Sequence, residues 1–288
     1  MTCRLCGGGR LDKAMRSQDC DILRCGDCGL MVREPYRNCT SSKCAACEDR
    51  CIDRLADPGF LAARLRVDGR RAERIIKMSG GDISKTEVLE LGSGLGCLGA
   101  HLSAAAGGYQ GLEQSPVFYR CLLENFPQLN GRVAMAALPD AGHAGRFGLL
   151  TAVDVLQFAP DPLAHLKTAL AALAPGGKVY IEAPDESLAG LRARVRKTLG
   201  LYSGNPLHHG HINFFTARSL RALVERAGLR VESLSTVSIA GDEDRLFLTL
   251  KRSLSAPLRA LSRAARLTGA DTILGLGNMV CLCSFQPR

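Results

Sequence analysis

The 288-residue sequence contains no tryptophan, and aromatic residues make up only 5% of it. This scarcity leaves few flat side chains on which the bases of a single-stranded nucleic acid could stack. No apolar run is long enough to cross a bilayer, and the opening MTCRLCGGGR lacks the apolar segment of a secretory signal. We also find no internal repeat and no low-complexity tract. These absences predict a cytoplasmic protein with one large domain and a small accessory one.

Charge is present in an ordinary amount, 23% of the residues, with a net charge of +9. A charge of this size allows an anionic partner, such as nucleic acid, a nucleotide-linked substrate or a lipid surface, without requiring one. Residues 251–268, KRSLSAPLRALSRAARLT, place several arginines opposite leucines on a predicted helix. The pattern favours a helix packed on the core with a solvated basic face, although a membrane-surface helix would have the same pattern.

Cysteine is the residue in excess, because the chain has thirteen and nine of them lie in the first 51 positions. Without an export signal, this density favours metal-bound thiolates over disulfides. Two C-x-x-C pairs, each followed by glycine, are separated by eighteen residues, which is the spacing of a zinc ribbon. We therefore predict a structural zinc site, rather than free buried thiols, with the ligands Cys3, Cys6, Cys25 and Cys28.

A second group of cysteines follows in NCTSSKCAACEDRC. If residues 44–51 are helical, three thiols share one face and a fourth could close the set from the preceding loop. These thiolates could hold a second zinc ion or, as the less favoured choice, an iron–sulfur cluster; reduced thiols on a packed helix are the alternative. The candidate ligands are Cys39, Cys44, Cys47 and Cys51, with Cys20 as a substitute. The remaining cysteines are interpreted as small buried hydrophobes: Cys97, Cys121, Cys281 and Cys283.

From residue 86 onward, strand and helix signals alternate, which is typical of a parallel sheet covered by helices. The predicted strands are TEVLELG, GYQGLE, RVAMAAL, GLLTAVDVL, KVYIEAP, RVESLSTV and NMVCLCSF. The predicted helices are 95–106, 116–126, 161–173 and the segment TARSLRALVERAGL, which has Thr216 as its N-cap.

The alternation predicts three regions along the chain. A metal-binding head spans residues 1–51, with the ribbon in 1–38 and the second cysteine cluster in 39–51. A helical connector follows in 52–85, and an α/β domain occupies 86–288 with a lid at 184–213, where the alternation breaks.

The first predicted strand runs into VLELGSGLGCLGAHL, where glycines stand at alternate positions. A dinucleotide site would have a third glycine where Cys97 stands. The spacing is instead E-x-G-x-G-x-G, formed by Glu90, Gly92, Gly94 and Gly96. Glu113 ends the second strand and could accept both hydroxyl groups of a ribose. Plain turn chemistry and a solvated strand-end acid are the alternatives.

With these motifs, residues 86–288 resemble the class I S-adenosylmethionine-dependent methyltransferases. VLELGSGLG is similar to the first motif of that family, GLEQS to its ribose-binding segment, and VDVLQFAPDPLAHLKTALAALAPGGKVYIEAP to its fourth and fifth strands. HGHINFFTARSLRALVERAGL and the cysteine-rich head resemble parts of one subgroup, in which a zinc ribbon precedes the domain. The resemblance implies a Rossmann-like sheet of seven strands with helices on both faces, and S-adenosylmethionine as the methyl donor.

The resemblance also implies a role for each residue of the cofactor site. Glu90 would meet the ammonium group of the donor's amino-acid tail, and the loop glycines would let the backbone pass beside that tail without a Cβ clash. Glu113 would hold the ribose, and the small side chains of Ala136 and Ala137 would leave room for adenine. Asp154, at the end of the fourth strand, would contact the cofactor or the substrate.

Three histidines lie in the predicted lid segment NPLHHGHINFF. Because histidine titrates near neutrality, His211 or His209 could take a proton from the acceptor, and Asp154 is the third candidate for a catalytic role. Hydrogen bonding to the loop backbone is the alternative, and a metal site built from the three histidines is disfavoured. Related sugar C-methyltransferases carry an acid and a histidine where this chain has Gln157 and Phe158, so no catalytic role is transferred to those positions.

We therefore expect methyl transfer to a small-molecule or biosynthetic acceptor, with O-, N- and C-methylation and the oligomeric state left open. The acceptor could be anionic, given the basic charge. One alternative is an RNA methyltransferase that grips RNA with its ribbon; the low aromatic content and the lack of an N/D-P-P-Y/F segment argue against it. Another is a non-catalytic, metal-dependent scaffold with a vestigial cofactor pocket, which the intact acids and glycines argue against.

Overall fold

The structure of the protein, a computed structural model, describes residues 2–8, 10–17, 20–34, 58–187, 211–237 and 278–285. Several predictions fall outside these ranges: the cluster of Cys39, Cys44, Cys47 and Cys51, the lid histidines His208 and His209, and the basic helix 251–268. Among the described helices, none combines the length and the apolar character needed to span a membrane.

The described residues form eleven strands in two sheets. In chain order they are β1 (Leu11–Ser17), β2 (Cys20–Cys25), β3 (Met31–Glu34), β4 (Glu87–Leu91), β5 (Gly108–Leu112), β6 (Val133–Ala134), β7 (Phe147–Val153), β8 (Leu173–Pro184), β9 (Asn213–Phe214), β10 (Leu229–Val237) and β11 (Asn278–Phe285).

The larger sheet has the strand order β10-β11-β8-β7-β4-β5-β6. Strands β6, β5, β4, β7 and β8 pair in parallel, while β11 runs antiparallel to both of its neighbours. This topology confirms the expected α/β fold with a Rossmann-like sheet of seven strands. The chain leaves β4 toward β5 on one side and returns to pair β7 on the other, so a crevice opens at the carboxyl ends of β4 and β7, where ligands bind in such sheets.

Five α-helices are described, and their starts follow the sequence. They are α1 (Pro58–Ser79), α2 (Cys97–Ala105), α3 (Pro116–Asn125), α4 (Pro162–Leu170) and α5 (Ala217–Arg226). Ser115 caps α3, Asp161 caps α4 and Thr216 caps α5, each accepting a backbone N–H from three residues further on. The predicted N-cap of α5 is therefore confirmed.

Two predicted elements differ from the observed ones. The predicted strand RVAMAAL shortens to β6, because the chain turns at Ala136, whose N–H bonds back to the carbonyl of Ala134. The helix predicted over 161–173 ends at Leu170, and LAPGG belongs to β8. Leu173 pairs with Phe147 and the ladder resumes at Lys178, so residues 174–177 form a bulge.

The smaller sheet has the order β1-β2-β3-β9, with every pair antiparallel. Its first three strands come from the cysteine-rich head, and its fourth comes from the segment just before α5. Cys3, Leu5 and Leu30 of the head pack in the same hydrophobic core as Phe215 and Leu220. The head therefore shares the core on one face of the large sheet.

The opposite face of the large sheet carries a second core, which α1 and α2 cover. Ile75 of α1, Leu102 of α2 and Val88 of β4 are fully buried there. Both faces of β4 are thus covered, which is the usual reason why a parallel strand reads as a continuous apolar run. Helix α1 lies over the sheet where the crevice opens, and this places its charged side chains near the site.

Candidate functional site

The loop between β4 and α2 has a backbone that suits only glycine at its key positions. Gly92 and Gly94 have φ values of 68° and 54°, in the left-handed region that residues with a Cβ rarely adopt. A Cβ on Gly92 would also lie 2.6 Å from Cγ2 of Val155, and a Cβ on Gly96 would lie 2.8 Å from Cγ of Leu122. The glycines therefore allow the loop to pack closely against Val155 and Leu122 while its backbone forms one edge of the crevice.

Glu113 ties the tip of β5 to this loop. Its Oε2 accepts the N–H of Gly94 at 2.7 Å, and its Oε1 accepts the N–H of Ser115, also at 2.7 Å. Each carboxylate oxygen can accept more than one hydrogen bond, so both retain capacity for a ligand hydroxyl. The side chain holds the shape of the loop and presents a charge at the point where the ribose is expected.

Glu90 is a buried acid at the base of the crevice, 2% exposed. The hydroxyl of Tyr109 donates to its Oε2. Burial raises the pKa of Glu90 to about 8, and the negative charges of Asp68 and Glu113 act in the same direction, while the Tyr109 hydrogen bond opposes them. A neutral acid that faces a cavity can ionise when a cation enters.

A cavity of about 180 Å³ occupies the crevice. Its walls include Glu90, residues Gly92 to Leu95 of the glycine loop and Cys97, together with Asp154 after β7. The opposite wall is α1, which contributes Arg64, Asp68 and Arg71. The predicted acid, glycines and strand-end aspartate thus meet around one space, and a helix predicted only as a connector closes it.

Arg71 of α1 is the buried cation of this wall, at 3% exposure. It forms ion pairs with Asp68 at 2.8 Å, with Glu182 of β8 at 3.0 Å and with Asp154 at 3.3 Å. Burial alone would lower the pKa of this guanidinium, but the neighbouring carboxylates, Glu182 most strongly, outweigh burial and raise it. Arg71 therefore stays charged and fixes Asp154 at the edge of the cavity.

Glu182 is the most heavily hydrogen-bonded acid of the site. Besides the bond from Arg71, it accepts hydrogen bonds from Arg74 Nη1 at 3.4 Å, from the Tyr180 hydroxyl at 2.9 Å and from Asn278 Nδ2 at 2.8 Å. Hydrogen bonds between a carboxylate and charged donors are among the strongest that a protein forms. The network links α1, β8 and β11 behind the crevice. Local sequence patterns do not predict it, because its members lie far apart in the chain.

Asp154 has an unusual backbone, with a φ of 57°, a value that costs energy for a residue with a side chain. The conformation is held by its N–H, which donates to the carbonyl of Glu182 at 2.9 Å, and by Gln157 Nε2, which donates to Oδ1 at 3.3 Å. Strain of this kind gathers at functional sites because it points a side chain where relaxed backbone would not.

Four predicted site residues are not part of the cavity wall: Gly96 in the glycine loop, Glu113 after β5, His211 and Ala137. His211 is buried beside Phe158, with the ring centroids 5.0 Å apart and the rings almost perpendicular, and it does not line the cavity. Ala137 is exposed in the loop after β6 and is also absent from the lining. Three residues were expected to transfer protons. Asp154 lines the cavity, His211 contacts Phe158 and does not line it, and His209 lies outside the described residues.

The four cysteines of the predicted ribbon converge. Their sulfur atoms all lie within 4.8 Å of one another, with Cys3 and Cys28 at 3.6 Å and Cys6 and Cys25 at 3.4 Å. A tetrahedral zinc ion with bonds of about 2.3 Å would require sulfur separations of about 3.8 Å, so the donor set fits such an ion. Glycines in left-handed conformation follow each pair, and Gly8 donates its N–H to Cys6 Sγ at 3.4 Å.

Comparisons with known proteins agree with this architecture. The sequence profile of the family described as "Methyltransferase domain" matches residues 62–234, more than half of the chain. A ubiquinone biosynthesis O-methyltransferase of Xanthomonas axonopodis pv. citri is 25% identical over 154 residues. That match covers 51% of this chain and 64% of the relative, so the chain spans less than two thirds of that relative's length.

Solved structures with the same fold are distant in sequence. A SAM-dependent methyltransferase from Aquifex aeolicus aligns with a TM-score of 0.50 and 14% identity, covering 82% of this chain and 97% of its own. The 1,6-didemethyltoxoflavin-N1-methyltransferase of Burkholderia thailandensis, solved with bound 1,6-didemethyltoxoflavin and S-adenosylhomocysteine, also aligns with a TM-score of 0.50 and 14% identity, covering 97% of this chain and 100% of its own. With the profile match, the seven-stranded topology and the glycine-loop crevice in hand, the chain belongs to the class I S-adenosylmethionine-dependent methyltransferase family.

Proposed function

We propose that this protein transfers the methyl group of S-adenosylmethionine to a small-molecule acceptor. The observation that carries the proposal is the cavity at the ends of β4 and β7, where Glu90, the glycine loop and Asp154 meet. Glu113 holds that loop from the neighbouring strand. This arrangement offers an acid for an ammonium group, a backbone edge free of side chains, and a second acid for a ribose, in the order in which the donor carries these groups.

The cavity residues, and Glu113 beside the cavity, divide the binding of the donor between them. Glu90 would pair with the ammonium group, and Glu113 would accept the ribose hydroxyls. Arg64 lines the same cavity, and its side chain is 33% exposed while it pairs with Asp68. It is the lining cation best placed to meet the carboxylate of the amino-acid tail. The expected place of the adenine, near Ala136 and Ala137, remains part of this proposal.

When bound, S-adenosylmethionine supplies an activated methyl group on a sulfonium ion. The protein's own task is then to align the acceptor with that methyl group and to exclude water. Asp154, fixed by Arg71 and Gln157 at the cavity edge, is the group we assign to accept a proton or to orient the acceptor. His211 and His209 remain the alternative proton acceptors.

The relatives support a small acceptor and leave the methylated atom open. One relative is named for O-methylation in ubiquinone biosynthesis, and a structural neighbour is named for N1-methylation of 1,6-didemethyltoxoflavin. Both names refer to small-molecule chemistry, which favours this class of acceptor over RNA for our chain.

We further propose that Cys3, Cys6, Cys25 and Cys28 hold a structural zinc ion. Four thiolate ligands complete a tetrahedral shell and leave no position open for catalysis. Cys39, Cys44, Cys47 and Cys51 remain the proposed ligands of a second zinc ion or an iron–sulfur cluster.

Titration calorimetry with S-adenosylhomocysteine tests the proposal. We expect one molecule to bind per chain, and Glu113→Ala to weaken binding by about 10-fold or more, because a charge-assisted hydrogen bond is removed. Glu225→Ala, an exposed acid on α5, is the matched control and should bind like the unaltered protein. Absence of binding by the unaltered protein at millimolar concentration would refute the proposal.

A further inference from the structure

The cysteine-rich head contacts the turn that follows β7 through strand β9. In the small sheet, Asn213 of β9 lies opposite Val32 of β3 and Phe214 lies opposite Met31. Arg33 adds two bonds, because its N–H donates to the carbonyl of Ile212 at 2.9 Å and its Nε donates to the carbonyl of His211 at 3.0 Å. The position of β9 is therefore set by the head.

Asn213 in turn holds the turn Leu156–Phe158 and the residue after it. The side chain is fully buried, and its Nδ2 donates to the carbonyl of Leu156 at 3.2 Å and to the carbonyl of Ala159 at 2.7 Å. The N–H of Ile212 donates to the carbonyl of Gln157 at 2.8 Å. Three carbonyl groups of this short segment are thus satisfied by residues that the head holds in place.

A second contact comes from inside the first cysteine pair. Arg4 lies between Cys3 and Cys6, and its Nη1 donates to the carbonyl of Pro160 at 3.1 Å. This bond is at the surface, and it connects the metal-binding turn itself with the end of the same segment.

The segment borders the cofactor crevice directly. Val155 packs against the glycine loop, since its Cγ2 lies 2.6 Å from where a Cβ of Gly92 would be. Gln157 Nε2 donates to Asp154 Oδ1 at 3.3 Å. A shift of the turn would therefore move both a wall of the loop and the aspartate that lines the cavity.

We propose that the head positions the acceptor side of the pocket. Asn213 is the positioning residue through which metal binding at the four cysteines fixes the position of Asp154. The inference rests on the proposed zinc ion and on the proposed cofactor cavity. It gives the ribbon a role beyond its own stability: without the metal, β3 and β9 lose their support and the turn after β7 loses its hydrogen bonds.

The lack of tryptophan in the chain provides a clean reporter. Phe158 is 38% exposed and is the last residue of the turn Leu156–Phe158, so Phe158→Trp introduces one indole whose emission reports this turn alone. In that background, Asn213→Ala should shift the emission to longer wavelength and increase acrylamide quenching, with the zinc content of the protein the same as in Phe158→Trp alone. Arg10→Ala, an exposed residue of the head that pairs with Asp12, is the matched control and should leave the emission unchanged.

Metal removal gives an independent measurement. A chelator should produce the same shift in the Phe158→Trp protein, and added zinc should reverse it. If Asn213→Ala does not fold, Arg4→Ala removes the surface bond to Pro160, together with the ion pair of Arg4 with Glu34 at 3.7 Å, and should produce a smaller shift in the same direction. Hydrogen exchange should show a loss of protection over residues 154–160 in each case.

The outcomes separate this inference from the proposed function. S-adenosylhomocysteine is titrated into the same proteins, and its failure to bind the unaltered chain refutes the cofactor cavity alone. If the emission of Phe158→Trp does not change on chelation, or does not change with Asn213→Ala in a folded protein, the positioning role is overturned even when S-adenosylhomocysteine binds.

Discussion

At the scale of single residues, Glu90 combines burial with a place on the cavity wall. Burial raises its pKa from an ordinary value of 4.5 to about 8. The folded protein without ligand therefore holds a proton on Glu90 near neutral pH. A ligand ammonium beside this group would favour the charged form, so ligand binding and proton release are linked.

We predict that affinity for S-adenosylhomocysteine rises with pH between about 6 and 8, because Glu90 must lose its proton to pair with the ammonium group. Calorimetry in two buffers of different ionisation enthalpy should detect proton release near pH 7. Glu90→Gln should bind more weakly and with little dependence on pH over this range.

The control for this prediction is Tyr109→Phe. The Tyr109 hydroxyl lowers the pKa of Glu90, so its removal should move the midpoint of the pH profile upward. A midpoint that stays in place, or an affinity that falls as the pH rises toward 8, contradicts the assignment of Glu90 to the ammonium group.

The same raised pKa affects the stability of the protein without ligand. Stability should fall as the pH rises, whereas ligand affinity should rise. Because the folded-state pKa of about 8 lies above the ordinary value of 4.5, the contribution of neutral Glu90 is fully present below pH 4.5 and is lost as the pH rises through about 8. The glutamine in Glu90→Gln cannot ionise. The unfolding temperature of this variant, minus that of the unaltered protein, should therefore increase as the pH is raised from 4.5 to about 8. Parallel thermal melts would check this, and a constant difference would count against it.

Residue spacing was enough to predict part of the site and not the rest. Glu90, Glu113 and the loop glycines lie within one strand–loop–strand segment, so their chemistry is readable from local sequence. Arg71 was not predicted, because its partners Asp154 and Glu182 are 83 and 111 residues away and no local pattern brings them together.

At the scale of elements, α1 carries charge into a buried interface. The sequence predicts a helix here but not its packing, because helical periodicity does not say which strand ends a charged face will meet. Asp68 and Arg71 are both buried, and Asp68 also pairs with Arg64 at the cavity wall. The helix is therefore part of the pocket as well as a connection between regions.

We predict that Arg71→Ala lowers the free energy of unfolding by about 3–5 kcal/mol, because it leaves buried carboxylates without their cation. Chemical denaturation measures the loss, and the exposed Arg66 of the same helix provides the control, Arg66→Ala, with an expected change within about 0.5 kcal/mol. Adding Glu182→Gln to Arg71→Ala should recover part of the loss, since it removes one unpaired charge. A double variant less stable than Arg71→Ala alone would contradict the assigned network.

At the scale of the whole molecule, the head and the large sheet share one hydrophobic core. Leu5 and Leu30 of the head pack in the same cluster as Phe215 and Leu220. The spacing of the cysteines predicted that the four thiols of the head converge, as they do, but not this shared core. A cysteine-rich segment with little periodicity gives no sign of which surface will bury its few apolar side chains.

We predict that the metal-loaded protein unfolds in a single calorimetric transition that includes the head, because a shared core couples the two parts. Removing the metal should lower the temperature of that one transition, since a ligand that binds only the folded state stabilises it. Two well-separated transitions in the loaded protein, with the earlier one alone sensitive to chelator, would show that the head unfolds independently.

Strand β9 has a consequence for the order in which the protein assembles during synthesis. The first three strands of the small sheet and all four converging thiols emerge from the ribosome early, but the strand that completes their sheet lies at residues 213–214. Most of the chain must be translated before the edge of β3 can be covered. The cysteine-rich head is therefore synthesised well before the strand that completes its sheet, and its native form is reached only after that distant segment has been made.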